Sequence, residues 1–196
     1  MKLSCIMPAL NAEKTILRAI RSIPNRSDVE IIVIDDCSED GTYELVEMYK
    51  KYSSQNIRLY KNAARGYPCT CINNGIELAY GEYFTQVDSD DYVLTDEMNY
   101  LLNLDRHEDI IFFDNQIDNL DVWKADAPGM CDHCCWYKKS FVGDIRQGFG
   151  TWGQGYDFHH KLLRKNPTTY YYQRVLYHYT YPQNGSTFDL GKKGII

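Results

Sequence analysis

Three carboxylates fall within four residues at Asp88-Ser89-Asp90-Asp91. A set this close repels itself unless a cation joins it. Oxygen-only ligands select hard ions such as Mg²⁺ or Mn²⁺. Mg²⁺ usually bridges one or two carboxylates to substrate phosphates. A second acidic pair, Asp35-Asp36, ends the apolar run Val29–Ile34. An acid in that position accepts hydrogen bonds from a ribose or from a base N–H. No G-x-G-x-x-G follows the first apolar run, and G-x-x-x-x-G-K-[ST] occurs nowhere. Phosphates are therefore not held on a glycine-rich helix start. The pattern suits a nucleotide held by acids and a cation.

These residues need elements to hold them. Leu3–Met7 is a short apolar run, a buried strand by pattern. Asn11 is placed to cap a helix in which Ile16, Leu17, Ile20 and Ile23 share a face, and Pro24 stops it. Val29–Ile34 is a run β-branched at every position but Glu30, as in a parallel strand covered on both faces. Thr42 is placed to cap a second helix, Ile57–Tyr60 forms a third strand, and Thr70–Tyr80 holds a short helix. Tyr83–Val87 is a fourth strand that runs into the carboxylate cluster; a helix follows Thr95, and Ile110–Phe113 is a fifth strand. Beyond Asp114 the pattern loosens. Asn115–Gly129 is turn-rich, Met130–Tyr137 reads as a strand, Phe158–Leu163 as a helix, and Thr168–Tyr172 and Val175–Tyr181 as two extended segments. Alternating strands and helices predict an α/β domain with a mostly parallel sheet. Ligands in such sheets bind outside the carboxyl ends of the strands, where both acidic clusters fall.

The chain has 196 residues, 44% hydrophobic and 24% charged, a globular composition. That length buries about 70% of the unfolded surface in one domain. Net charge is −6, which excludes a globally basic nucleic-acid binder. The charge is split: residues 1–87 carry −1, residues 88–132 carry −11, and residues 133–196 carry +6 together with 8 of the 17 tyrosines. An acidic stretch beside a basic, aromatic one suggests metal and phosphate handling, although solvated faces give the same sums. No apolar run approaches the ~18 residues of a membrane helix. The start, Met1–Pro8, is too short for a signal peptide, and seven cysteines are an odd count for a disulfide framework, so the expected compartment is the cytoplasm. Asn184-Gly185-Ser186 then reads as a turn rather than a glycosylation site.

Four segments occur in order: Pro8-Ala9-Leu10-Asn11-Ala12-Glu13, Val33-Ile34-Asp35-Asp36-Cys37-Ser38-Glu39-Asp40-Gly41-Thr42, Asn74–Tyr83 (NGIELAYGEY) and Val87–Asp91 (VDSDD). Together they resemble family 2 glycosyltransferases of the GT-A fold. The resemblance is strong over about residues 3–95 and weak beyond. It implies one GT-A domain over residues 1–196, with a nucleotide-sugar half to about residue 95 and an acceptor half after it. It implies a nucleotide-diphospho-sugar donor, most often UDP-linked, and transfer with inversion to a hydroxyl acceptor. That acceptor is expected to be a glycan, with an anionic or nucleic-acid acceptor conceivable from the basic, tyrosine-rich tail. The implied donor contacts are Pro8, Leu10, Asn11, Asp35, Asp36, Arg65, Asp88, Ser89 and Asp90. Asp36 would meet the base, and Asp88 and Asp90 the ribose. The metal, Mn²⁺ or Mg²⁺, would sit on Asp90 or Asp91, joined by a late histidine, His178. A half-buried place in a tyrosine-rich strand is the alternative for His178.

The sequence also departs from the family. Leu10 stands where an aromatic residue usually stacks on the base, and Ile72 where an arginine usually stands, leaving Arg65 or Lys61 to supply the charge. The usual Gly-Glu-Asp-x-Asp segment, whose acidic pair holds the catalytic base, reads Gly153-Gln154-Gly155-Tyr156-Asp157. Asp157 is the remaining candidate base, or else a surface residue at a helix start; a neutral glutamine cannot abstract a proton. Cys131-Asp132-His133-Cys134-Cys135 with Cys69 and Cys71 invites a zinc reading, but C-x-C is tighter than the usual structural pair. A strand lining the acceptor pocket, with Asp132 and His133 as contacts, is the preferred alternative. His159 and His160 are expected on a solvated helix face. Two rival functions remain: a non-catalytic nucleotide-sugar-binding module, and a phosphohydrolase with Asp35 as nucleophile.

Overall fold

A computed structural model describes residues 2–118, 122–123, 132–148 and 154–180. Its first strand, β1 (Leu3–Ala9), lies between β2 (Val29–Asp35) and β4 (Tyr83–Gln86), parallel to both. The strand β3 (Ile57–Lys61) adds parallel to β2 at one edge. Every residue of β2 is buried, as its mostly apolar sequence requires of a strand covered on both faces. Two of them, Glu30 and Asp35, are acidic; Glu30 accepts from Ser4 Oγ (2.6 Å), Arg58 Nη1 (2.9 Å) and the Tyr80 amide (2.6 Å).

Three helices cover these strands: α1 (Ile16–Ser22), α2 (Thr42–Tyr52) and α3 (Pro68–Leu78). Two expected caps do other work. Asn11 sits at φ 50°, its Oδ1 accepts from the Glu39 amide (2.8 Å), and α1 starts only after Thr15. Thr42 is the first residue of α2, and its Oγ1 accepts from the Ala12 amide at 2.7 Å. Both side chains tie the loop after β1 to the loop after β2, so the capping residue types serve tertiary contacts. The helix α3 opens with proline in its first turn, a favoured start that Thr70 concealed.

The second half extends the sheet with antiparallel pairs and one long parallel pair, the strands at 110–117 and 169–179. The short β5 (Tyr92–Val93) leads into α4 (Thr95–Asn103), then β6 (Ile110–Ile117) and β7 (Val122–Trp123), which pairs back onto β6. A 3₁₀ turn at Asp132–Cys134 precedes β8 (Cys135–Lys138), so the strand expected from Met130 starts later; Met130 and Cys131 lie outside the described residues. After α5 (Lys139–Val142) and α6 (Gln154–Leu163), the chain ends its described part with β9 (Thr169–Tyr179). Across the sheet the described strands run β3, β2, β1, β4, β8, β6, β9, β5. The two extended segments expected at 168–181 are one strand. Gln173-Arg174 is absorbed as an irregularity in its pairing with β6, where Phe113 faces Tyr172 and Asp114 faces Val175.

Side-chain alternation builds a core on each sheet face. Leu3, Cys5, Met7, Ile31 and Val33 pack beneath α1 and α4 with Met98, Leu101 and Trp136. Ile6, Phe84, Ile110 and Phe112 pack against Ile72 and Ile76 of α3 and Phe158 and Leu162 of α6. No described helix is long and apolar enough to cross a membrane.

Candidate active site

The carboxyl ends of β1, β2 and β4 lie side by side, and each delivers polar residues to the same edge. Asp36 is buried and its amide donates to the Ala9 carbonyl at 2.8 Å, fixing the chain as it leaves β2. Its carboxylate accepts from Asn62 Nδ2 (2.7 Å) and from the Gly66 amide (2.9 Å to Oδ1, 3.1 Å to Oδ2). Asp36 thus shapes the loop that leads into α3. Asp35 is fully buried; its Oδ2 accepts from the Ser38 amide at 3.2 Å and lies 3.8 Å from Lys61 Nζ. Asp35 Oδ1 has no hydrogen-bond partner among the described residues. Cys37, between these groups, holds φ 64°, where most side chains are strained.

At the end of β4, Gln86 Nε2 donates to Asp88 Oδ1 (2.7 Å), and His133 Nδ1 lies 3.8 Å from Asp88 Oδ2. Asp90 is exposed. Packing of the surrounding loop, which takes solvent from the carboxylate, and then the Asp88 carboxylate push its pKa above the usual range. Asp91 turns inward. Its Oδ2 accepts from the Tyr177 hydroxyl (2.6 Å) and its Oδ1 from the Thr180 amide (2.7 Å). Burial first, then Asp88, push its pKa up to about 7. The Asp88 carboxylate thus disfavours charge on both Asp90 and Asp91, a repulsion that a nearby cation would relieve.

The remaining expected contacts divide. Pro8, Leu10 and Ser89 are half-buried and Asn11 is exposed, all at or just beyond the ends of β1 and β4. Arg65 is exposed on the loop whose Gly66 amide holds Asp36, whereas Lys61 is tied to Asp35. Ile72, in the place of the usual arginine, is buried in the core with Ile6 and Ile76. His178 lies on β9, stacked on Tyr92 with centroids 4.3 Å apart and 3.5 Å from Asp118. Among the described residues no three histidine, cysteine or acidic side chains gather as a metal site, so Asp90, Asp91 and His178 are not brought together as one ligand set. Asp157 is exposed in the first turn of α6 and pairs with Lys161 at 2.5 Å. His159, expected in solvent, is buried. It packs edge-on against Phe112, with Nδ1 2.9 Å from the Tyr137 hydroxyl. Phe158 and Leu162 take α6 into the core, and His159, the i, i+3 neighbour of Leu162, goes with them.

The model of the glycosyl transferase family 2 matches residues 4–164. The chain belongs to this family. A poly(ribitol-phosphate) β-glucosyltransferase of Bacillus spizizenii is 35% identical over 97 residues, which are 47% of this chain and 15% of that protein. The crystal structure of Staphylococcus aureus TarS in complex with UDP-GlcNAc superposes with a TM-score of 0.82 at 22% identity, covering 94% of this chain and 60% of that one. A mannosyltransferase of Pyrobaculum calidifontis, solved with GDP-Man and Mn²⁺, superposes with a TM-score of 0.73 at 16% identity, over 94% of this chain and 58% of that one. These likenesses establish the GT-A fold. The chain spans less than two thirds of the length of these relatives.

Three groups at this site carry no local sequence signal: Tyr177, Thr180 and Arg18. They reach the Asp88–Asp91 loop from 72 to 89 residues away in the chain.

Proposed function

We propose that this chain is a family 2 glycosyltransferase domain, spanning residues 1–196, that binds a UDP-sugar and transfers the sugar with inversion to a hydroxyl of a glycan. The observation that carries the reading is the delivery of Asp36, Asp88 and Asp90 to one edge of the sheet by the carboxyl ends of β2 and β4, the parallel strands on either side of β1. In this reading Asp36 accepts the base N–H, and its loop is already ordered by Asn62 and Gly66. Asp88, steadied by Gln86, and the exposed Asp90 offer hard oxygen donors, and their mutual repulsion fits them to Mn²⁺ or Mg²⁺. When bound, such a cation offsets charge building on the leaving diphosphate. The UDP-GlcNAc and Mn²⁺ complexes of the structural neighbours support both parts of this reading. The six described cysteines are free, which suits a reducing cytoplasm.

The acceptor proton needs a base, and Asp157 serves only by leaving Lys161. That pair favours a second reading, a nucleotide-sugar-binding module without turnover. Calorimetric titration with UDP, with and without Mn²⁺, and UDP release from a panel of nucleotide sugars separate the readings. Tight Mn²⁺-dependent binding with turnover lost in Asp157→Asn supports transfer. Binding without turnover, unchanged in Asp157→Asn, supports the module. A folded protein that does not bind UDP refutes both.

A further inference from the structure

We infer that Tyr177 and Asp91 are positioning residues that latch the Asp88–Asp91 loop in its donor-holding shape, and that the end of β9 and Arg18 complete the latch. Tyr177 is fully buried in β9, yet its hydroxyl is bonded twice: it accepts from the Asp88 amide (3.2 Å) and donates to Asp91 Oδ2 (2.6 Å). One oxygen atom thereby joins both ends of a loop that is itself closed by the Asp91 amide on the Asp88 carbonyl (3.1 Å). The second Asp91 oxygen is taken by the Thr180 amide at 2.7 Å, one residue beyond β9. Arg18 of α1 closes the outside: its Nη2 donates to the Asp90 carbonyl and, at 2.9 Å, to Thr180 Oγ1. Its guanidinium lies over the Tyr92 ring.

Two consequences follow. With both oxygens engaged and the side chain buried, Asp91 is a poor ligand for an added cation, which leaves Asp88 and Asp90 to face the donor. The placement of Asp88 and Asp90 also depends on β9 and α1, elements far from the loop in sequence. The inference rests on the donor role proposed for Asp88 and Asp90, but the latch itself can be read in the ligand-free protein.

The test is hydrogen exchange on the full chain, with UDP titration alongside. Tyr177→Phe deletes one hydroxyl. It is expected to speed exchange of the Asp88 and Asp91 amides about tenfold, the modest net loss of the two hydrogen bonds that the hydroxyl makes, while the β1 and β2 amides keep their protection. It is expected to weaken Mn²⁺-dependent UDP binding by about tenfold and to leave metal-free UDP binding within about twofold, since Asp36 is untouched. Unchanged exchange at 88–91 overturns the latch. Faster exchange with unchanged Mn²⁺-dependent affinity overturns its role toward the donor. If Tyr177→Phe does not fold, Thr180→Pro, which removes the amide that Asp91 accepts from, and Arg18→Gln carry the same two measurements. A wild-type chain whose UDP binding ignores Mn²⁺ refutes the donor reading instead, and exchange alone then decides the latch.

Discussion

Gly75 sits in the middle of α3, where alanine should be the better residue. Replacing a mid-helix glycine by alanine gains about 0.5–1 kcal/mol. Here the added methyl has no room: a Cβ would lie 2.3 Å from Ile6 Cγ2 and 3.0 Å from Ile6 Cγ1. Ile6 is fully buried on β1, packed with Ile72, Ile76 and Phe84, and a β-branched side chain in a strand has little freedom to turn away. Overpacking of this kind costs about 1–3 kcal/mol. The cost exceeds the propensity gain, so Gly75→Ala should destabilise by about 1–2 kcal/mol, or about 2–8 °C in Tm for a domain this size. Scanning calorimetry measures it. The control is the same change in an Ile6→Ala background, where the methyl fills space and the sign should reverse. A rise in Tm for Gly75→Ala in the wild-type background would refute the close approach of α3 to β1. The contact matters for the site because α3 begins two residues after Gly66, whose amide holds Asp36.

Glu30→Gln leaves Arg58 facing a neutral group beside the buried end of β2 and should lower stability toward the 3–5 kcal/mol of a broken buried pair, reduced to about 2 kcal/mol because Arg58 is partly exposed; urea titration reads it. The hydrogen bond from Arg26, opposed by burial, holds Asp28 below the usual carboxylate range. Its contribution is therefore present above the unfolded value near 3.8 and lost as pH falls through the lower folded value. Both side chains are partly exposed, so the effect stays under about 1 kcal/mol; the urea midpoint of Arg26→Ala should fall less between pH 5 and pH 2.5 than that of the wild type. Lys161→Ala frees the Asp157 carboxylate; if Asp157 is the base, kcat rises or holds, and a fall in kcat with unchanged donor KM would assign Lys161 a role of its own.

The donor half was legible because its signals are local and redundant. A β-branched run interrupted only by Glu30 and ending in two acids fixes a strand, its burial and its loop at once, and Val29–Asp35 is found one residue from its expected end. Capping was misread at Asn11 and Thr42 because a short polar side chain serves a helix amide and a neighbouring loop equally well, and only the fold decides. The same holds for His159, whose burial depends on which face of α6 meets Phe112. Asp91 shows the limit at the site itself. Sequence places it beside Asp90 as an equal carboxylate, whereas the fold buries it against the hydroxyl of Tyr177, 86 residues away.

The charge split has a different meaning in three dimensions. Of the acidic residues between 88 and 132, Asp88, Asp90 and Asp91 belong to the site. Asp96 and Glu97 occupy the first turn of α4, where carboxylates favour the helix start. Glu108 pairs with Arg106, Asp109 accepts from Thr168, and Asp114 accepts from Tyr171. Four described cations of the tail are similarly engaged: Lys138 with Glu82, Arg146 with Glu77, Lys161 with Asp157 and Arg174 with Glu97. Position, not bulk charge, should then govern donor binding, since exposed charges beyond about 8 Å are screened at physiological salt. The comparison is among three variants that each remove one negative charge from the same stretch: Asp88→Asn, Asp96→Asn and Asp105→Asn. Mn²⁺-dependent UDP affinity should collapse in the first and hold within about twofold in the other two, whose side chains are exposed. Equal weakening in all three would mean that the acidic stretch acts as a field, and would undo the assignment of Asp88 as a donor-site ligand.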